Sequence, residues 1–204
     1  MPGGEQASEE PAVRAPRGER SRAAAAGETA VWLMPSAKDR ERLLPAIVSL
    51  ATRFGAPVFE PHATVFGGMP TPRGQIEAAV ARAARVTPAF TLSAACLAHS
   101  PTFFHCVFLE LARPEPVLEL RGCLGPALGR RPEDAARPHV SLVYAELPRP
   151  EREELCRELD QGALVATPIR FDALALVAPR RDEDADWSDV EGWRIVGPFP
   201  LAAG

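Results

Sequence analysis

Two short stretches hold the residue types that could do chemistry. The first is Glu60-Pro61-His62-Ala63-Thr64-Val65-Phe66-Gly67-Gly68 and the second is Arg137-Pro138-His139-Val140-Ser141-Leu142-Val143-Tyr144. Each reads proline, histidine, a small or apolar residue, a hydroxyl residue, an aliphatic residue. An imidazole titrates at about pH 6.5, so near neutrality one ring can take a proton while another gives one. Hydroxyls are short donors suited to the non-bridging oxygens of a phosphate as negative charge builds on them. The chemistry these groups suit is attack of water on a cyclic phosphodiester. His62 and His139 would transfer the protons, and Thr64 and Ser141 would hold the phosphate. Such a mechanism needs no metal.

Both stretches predict strands, because aliphatic and β-branched residues follow a proline that cannot sit inside a sheet. Alternate side chains of a strand share a face, which puts His62 beside Thr64 and His139 beside Ser141. A lone histidine on a strand is more often packed or solvated than catalytic; two copies with matching prolines make the stronger signal. His99 falls in a turn, and His105, in Phe103-Phe104-His105-Cys106, reads as a structural residue or a cleft lining. A zinc site built from His62, His139 and Glu60 lacks paired-ligand spacing. Trp32, Phe103 and Phe104 are candidates to stack on a base, although core packing is the commoner fate of strand aromatics. Tyr144 has the opposite parity to His139, so it reaches a cleft only where its strand twists or ends; parity alone assigns it to the core.

The remaining sequence must position these groups. At 204 residues with 46% hydrophobic residues, the chain suffices for one domain with a real core. A net charge of −4 argues against binding long nucleic acid by electrostatic attraction, while a local pocket can still take a small anion. No apolar run reaches the roughly 20 residues that cross a bilayer. Cys96, Cys106, Cys123 and Cys156 form no Cys-x-x-Cys pair and read as reduced thiols, with an approach of Cys106 and Cys123 left open. Residues 1–28 are poor in large apolar side chains and read as a disordered tail. Its arginines suit a transit peptide, but Glu5, Glu9, Glu10 and Glu19 speak against one. A cytoplasmic monomer is the expectation, with organellar targeting left open.

From about residue 29 to 200 the pattern predicts a single α+β domain. A strand over Thr29–Met34 is followed by a helix capped by Ser36 and closed by Gly55, then the first motif strand. A turn over Gly67, Gly68, Pro70 and Pro72 leads to a helix from Gln75 to Val86. Strands over Phe90–Ala98 and Phe103–Leu111 make a hairpin, and a helix from Pro116 to about Leu128 precedes the second motif strand. A helix over Arg149–Asp160, a strand over Ile169–Val177, a charged loop at 180–186 and a strand at Trp193–Val196 complete the order. One helix before and one after each motif strand suggests two similar halves sharing a cleft.

At these motifs the chain resembles the two-histidine phosphoesterases, and within them the plant and fungal cyclic phosphodiesterases. Val31-Trp32-Leu33-Met34-Pro35, Thr102-Phe103-Phe104-His105-Cys106-Val107-Phe108-Leu109 and Glu191-Gly192-Trp193-Arg194-Ile195-Val196 extend the likeness, which spans about residues 29–197. The resemblance implies a bilobal fold of two pseudo-symmetric lobes, antiparallel sheet with outer helices, around a central cleft. It implies metal-independent hydrolysis, without a cofactor, of ADP-ribose 1″,2″-cyclic phosphate and of nucleoside 2′,3′-cyclic phosphates to 2′-phosphates, by-products of tRNA splicing. His62 and His139 carry over as the proton-transfer pair, Thr64 and Ser141 as phosphate holders, and Trp32 and Tyr144 as cleft residues. Two other readings stay open: a non-catalytic module that binds nucleotides or RNA ends on the same fold, and a phosphodiesterase acting on RNA ends or 2′-5′ linkages, which needs a longer basic groove.

Overall fold

The computed structural model describes residues 29–69, 73–112, 114–135, 137–160, 163–179 and 187–203. The expected tail, the prolines at 70 and 72 and the charged loop at 180–186 lie outside these residues. Among the described residues, eight strands form one antiparallel sheet: β1 (Thr29–Pro35), β2 (Ala63–Met69), β3 (Phe90–Leu92), β4 (Ala94–His99), β5 (Val107–Leu111), β6 (His139–Val143), β7 (Ile169–Ala178) and β8 (Arg194–Pro200). Their spatial order is β3-β7-β1-β2-β6-β5-β4, with β8 also paired to β7. The two outermost strands, β3 and β4, are separated in the chain by Ser93 alone. The sheet therefore cannot lie flat and must curl so that its ends approach.

At the middle of this curled sheet the two motif strands pair at a single position, Ala63 with Val140. Pro61 and Pro138 stand just ahead of the two strands and mark where each begins. The sheet thus splits into a half built on β1, β2, β7, β3 and β8 and a half built on β6, β5 and β4, joined by that bridge. This is the bilobal arrangement that the doubled motif suggests.

Long helices cover the outside. Helix α1 (Ala37–Phe54) starts where the Ser36 hydroxyl accepts the Asp39 amide, and ends at Gly55 with φ 60°, a left-handed conformation that favours glycine. Asp39 also accepts the Arg170 amide at 3.0 Å, which ties the helix start to β7. The stripe Leu43, Ile47, Leu50 and Ala51 is buried, each large aliphatic contributing about 1.5–3 kcal/mol through water exclusion. Helices α2 (Arg73–Val86), α3 (Glu115–Leu128) and α4 (Arg149–Asp160) follow the expected order. Helix α1 precedes β2 yet packs on β6, and α3 precedes β6 yet packs on β2. Each motif strand is therefore backed by the helix of the other half.

Three expectations need correction. The stretch 90–98 is two strands, because Phe90–Leu92 pairs with β7 while Ala94–His99 pairs with β5. Gly67 and Gly68 continue β2 rather than turning. Phe103–His105 is a 3-10 turn, held by the Ser100 amide and hydroxyl on the His105 carbonyl, so the hairpin strand begins only at Val107. All four cysteines are thiols outside any disulfide, Cys106 buried and Cys123 exposed.

Candidate active site

Antiparallel pairing of Ala63 with Val140 fixes what lies opposite what. Extended one residue each way, that register sets His62 against Ser141 and Thr64 against His139. Ala63 and Val140 point into the core, 1% and 0% exposed, so the four polar groups share the other face. Each histidine thus faces the hydroxyl residue of the other motif.

The two imidazoles are anchored alike. His62 Nδ1 lies 2.7 Å from the Glu60 carbonyl, and His139 Nδ1 lies 2.8 Å from the Arg137 carbonyl. A carbonyl only accepts, so each Nδ1 carries the hydrogen and donates, which leaves Nε2 as the basic nitrogen. The partner is in both cases two residues back, across the motif proline, whose restricted φ holds the carbonyl in place.

A second shared feature is a bulge directly after each hydroxyl residue. On β2, Thr64 pairs with Trp32 but Phe66 with Val31, so Val65 is an extra residue. On β6, Ser141 pairs with Phe108 but Val143 with Val107, so Leu142 is extra. A bulge shifts strand parity by one. That shift delivers Tyr144, just past the end of β6, to the cleft face from a position that simple alternation assigns to the core.

Around His62 the walls are aromatic and dry. Trp32 stacks on the ring at 3.4 Å and 7°, Phe59 meets it edge-on at 6.2 Å, and the Tyr144 hydroxyl lies 3.4 Å from Nε2. His62 is 6% exposed and Tyr144 3%. Burial pushes the His62 pKa down to about 3, with the neighbouring His139 adding to the shift. Burial likewise raises the Tyr144 phenol well above its usual range, keeping it a neutral donor.

His139 is more open. Phe108 meets it edge-on at 5.1 Å and His105 lies 4.4 Å away. Its pKa falls to about 4, through desolvation first and then the charges of His105 and Arg121, while Glu110 works the other way. The Ser141 hydroxyl donates to the Phe104 carbonyl at 2.9 Å. The Thr64 hydroxyl has no hydrogen-bond partner among the described residues. Phe104 enters as a ring too, edge-on to Tyr144 at 5.2 Å and tilted against Trp193 at 6.2 Å.

The structure therefore brings together all seven residues that the sequence singled out: His62, His139, Thr64, Ser141, Tyr144, Trp32 and Phe104. Sequence reasoning missed Phe59, Phe108, Trp193 and Arg121. Only pairing opposite Ser141 marks Phe108 as the counterpart of Trp32, and only the fold carries Trp193 to within 5.2 Å of Trp32. Glu60, considered above as a metal ligand, has its carboxylate engaged by Arg40 Nε and one terminal Arg40 nitrogen at 2.6 and 2.7 Å. Among the described residues, no cluster of three His, Cys, Asp or Glu is placed to hold a metal ion. No helix among them is long and apolar enough to cross a membrane.

Two half-sheets, each offering a histidine and a hydroxyl to one cleft, are the arrangement of a two-histidine phosphoesterase. The 2′-5′ RNA ligase superfamily matches residues 49–183, about two thirds of the sequence, and the chain belongs to that superfamily of two-histidine phosphoesterases. A cyclic phosphodiesterase of Arabidopsis thaliana is 27% identical over 169 residues, covering 81% of this chain and 91% of its own. Among solved structures, the TT0787 protein of Thermus thermophilus shares the fold with a TM-score of 0.54 at 15% identity, over 86% of this chain and 98% of that one. Escherichia coli LigT complexed with NADP+ superposes with a TM-score of 0.50 at 14% identity, over 86% and 97%.

Proposed function

We propose that the protein is a cyclic phosphodiesterase that opens nucleoside 2′,3′-cyclic phosphates to 2′-phosphates and ADP-ribose 1″,2″-cyclic phosphate to the 1″-phosphate, working as a monomer on small nucleotides. The observation that carries this reading is the crossed register, in which each imidazole stands opposite the other motif's hydroxyl. A phosphate seated between β2 and β6 would meet a histidine on two sides and a donor on two sides.

Before an anion binds, both rings are neutral at neutral pH, since their pKa values lie at about 3 and about 4. An arriving phosphate anion favours the charged form and draws a proton into the pair. His139, the more exposed ring and the one beside Glu110, is the ring that takes it. His62, with Nδ1 held, is the base: its Nε2 removes a proton from water as the water oxygen bonds to phosphorus. The bond from phosphorus to the ribose 3′ oxygen breaks, and His139 gives its proton to that oxygen. Thr64 donates to a non-bridging oxygen, and Tyr144 holds the His62 ring side of the cleft.

The test is turnover of a nucleoside 2′,3′-cyclic phosphate and of the ADP-ribose cyclic phosphate in EDTA; no hydrolysis of either would sink the reading. The division of roles is tested with a nitrophenyl phosphodiester, whose leaving group needs no proton. There His139→Ala should keep about tenfold more of its activity than His62→Ala, and the opposite order would reverse the assignment.

A further inference from the structure

The bulge at Val65 brings the first motif under the control of a residue from outside both motifs. Arg121, on α3, is 2% exposed. Its Nε donates to the Val65 carbonyl at 3.0 Å and its second terminal nitrogen to the Thr64 carbonyl at 3.3 Å. In the register of Ala63 with Val140, Val65 lies opposite Pro138. As the extra residue of the bulge, Val65 has no paired residue on β1, and Pro138 turns its carbonyl away from β2, to the Leu111 amide of β5. The guanidinium sits where the two motif strands part, bonded to β2 and near enough to His139 on β6 for its charge to be felt there.

We propose that Arg121 is a positioning residue of the phosphate site: it holds the Thr64 and Val65 carbonyls, fixes the bulge that aims Thr64, and sets a positive charge beneath the bound phosphate. The inference rests on the phosphate-binding cleft of the proposed function. It also explains how a chain of net charge −4 attracts an anion: the charge is local, in a dry seam where it is weakly screened. The groups facing His139 are Arg121 from α3, His105 from the 3-10 turn, Glu110 from β5, and His62 across the cleft. Arg137, two residues before His139, has its guanidinium turned to Glu110.

The experiment uses the full chain and the variants Arg121→Gln, Arg121→Met and Arg121→Lys, each first checked for folding by circular dichroism. Inorganic phosphate binding is read by calorimetry, and the His139 titration midpoint by NMR without substrate. Gln keeps a donor for the Val65 carbonyl without the charge. It should weaken phosphate binding about tenfold or more, the loss expected for a charged hydrogen bond, and raise the His139 midpoint by about one unit. Lys should keep phosphate affinity within about threefold of the wild type, since the charge stays. In a Thr64→Ala background, Arg121→Met should cost less than it does in the wild type, because it acts through Thr64.

A folded Arg121→Gln protein with unchanged phosphate affinity and an unchanged His139 midpoint overturns the proposal, as does strict additivity with Thr64→Ala. Should Met prevent folding, the Gln and Lys pair decides alone. Failure of wild-type turnover counts against the proposed reaction and leaves these binding and titration readouts standing. Wild-type protein that binds no phosphate overturns both.

Discussion

The two motif arms differ where their sequences are most alike. Each has a histidine donating Nδ1 across a proline to a carbonyl, and each has a bulge one residue after the hydroxyl. Yet His62 is sealed beneath Trp32 in face-to-face stacking, while the corresponding Phe108 meets His139 only by its edge. Thr64 keeps its hydroxyl unengaged by the described residues, while Ser141 gives its hydrogen to the Phe104 carbonyl. The bulge of the first arm is held by Arg121, and the second sends Tyr144 across to the first arm's histidine. The lesson is that a duplicated geometry can be tuned into unequal partners by what packs behind it. One arm is buried; the other is more open to solvent.

The sharpest way to break the comparison is to remove each imidazole. His62→Ala and His139→Ala should each lower kcat on a cyclic phosphate by about 10³-fold or more, and the double variant should be little worse than either, since the pair acts as a unit. Independent, additive losses measured by steady-state kinetics would deny that they share one phosphate.

Next come the hydroxyls. Thr64→Ala should cost about 10²-fold in kcat, the typical loss of one donor to developing charge. Ser141→Ala should cost about tenfold, because that hydrogen first has to leave the Phe104 carbonyl, and should also lower stability by about 1 kcal/mol through the lost bond. Equal kinetic losses would erase the asymmetry between the arms.

A smaller effect concerns acid stability. Both histidines have folded pKa values below the ordinary value of about 6.5, at about 3 for His62 and about 4 for His139. As pH falls from about 6.5 toward 4, the unfolded chain takes up protons that the native chain refuses, so stability drops across that window. His62→Gln should remove the larger share of the drop, His139→Gln the smaller. Urea midpoints measured from pH 7 to pH 4 check both the slope and the order. The smallest change is expected from the ring neighbours: Trp32→Leu should reduce kcat about tenfold and Phe108→Leu only a few-fold, in line with stacked against edge contact.

Much of this was legible in the chain because it is local. The doubled Pro-His-x-Thr/Ser pattern set strand type and histidine face, and the apolar stripe of α1 with Ser36 and Gly55 set that helix to within a residue. Less legible were features that depend on partners. The division of 90–98 into two strands follows from which strand each piece pairs with. The 3-10 turn at Phe103–His105 follows from Ser100 reaching back to a carbonyl.

By itself, then, the sequence determined two proline-led strands, each with an imidazole and a hydroxyl two residues apart, because strand alternation and the missing proline amide act over a few residues. Only the tertiary structure decided that Ala63 meets Val140, that Tyr144 crosses to His62, and that Arg121 reaches beneath the first bulge. Those outcomes depend on bulges and on packing between residues far apart in the chain, and neither leaves a periodic trace in the order of amino acids.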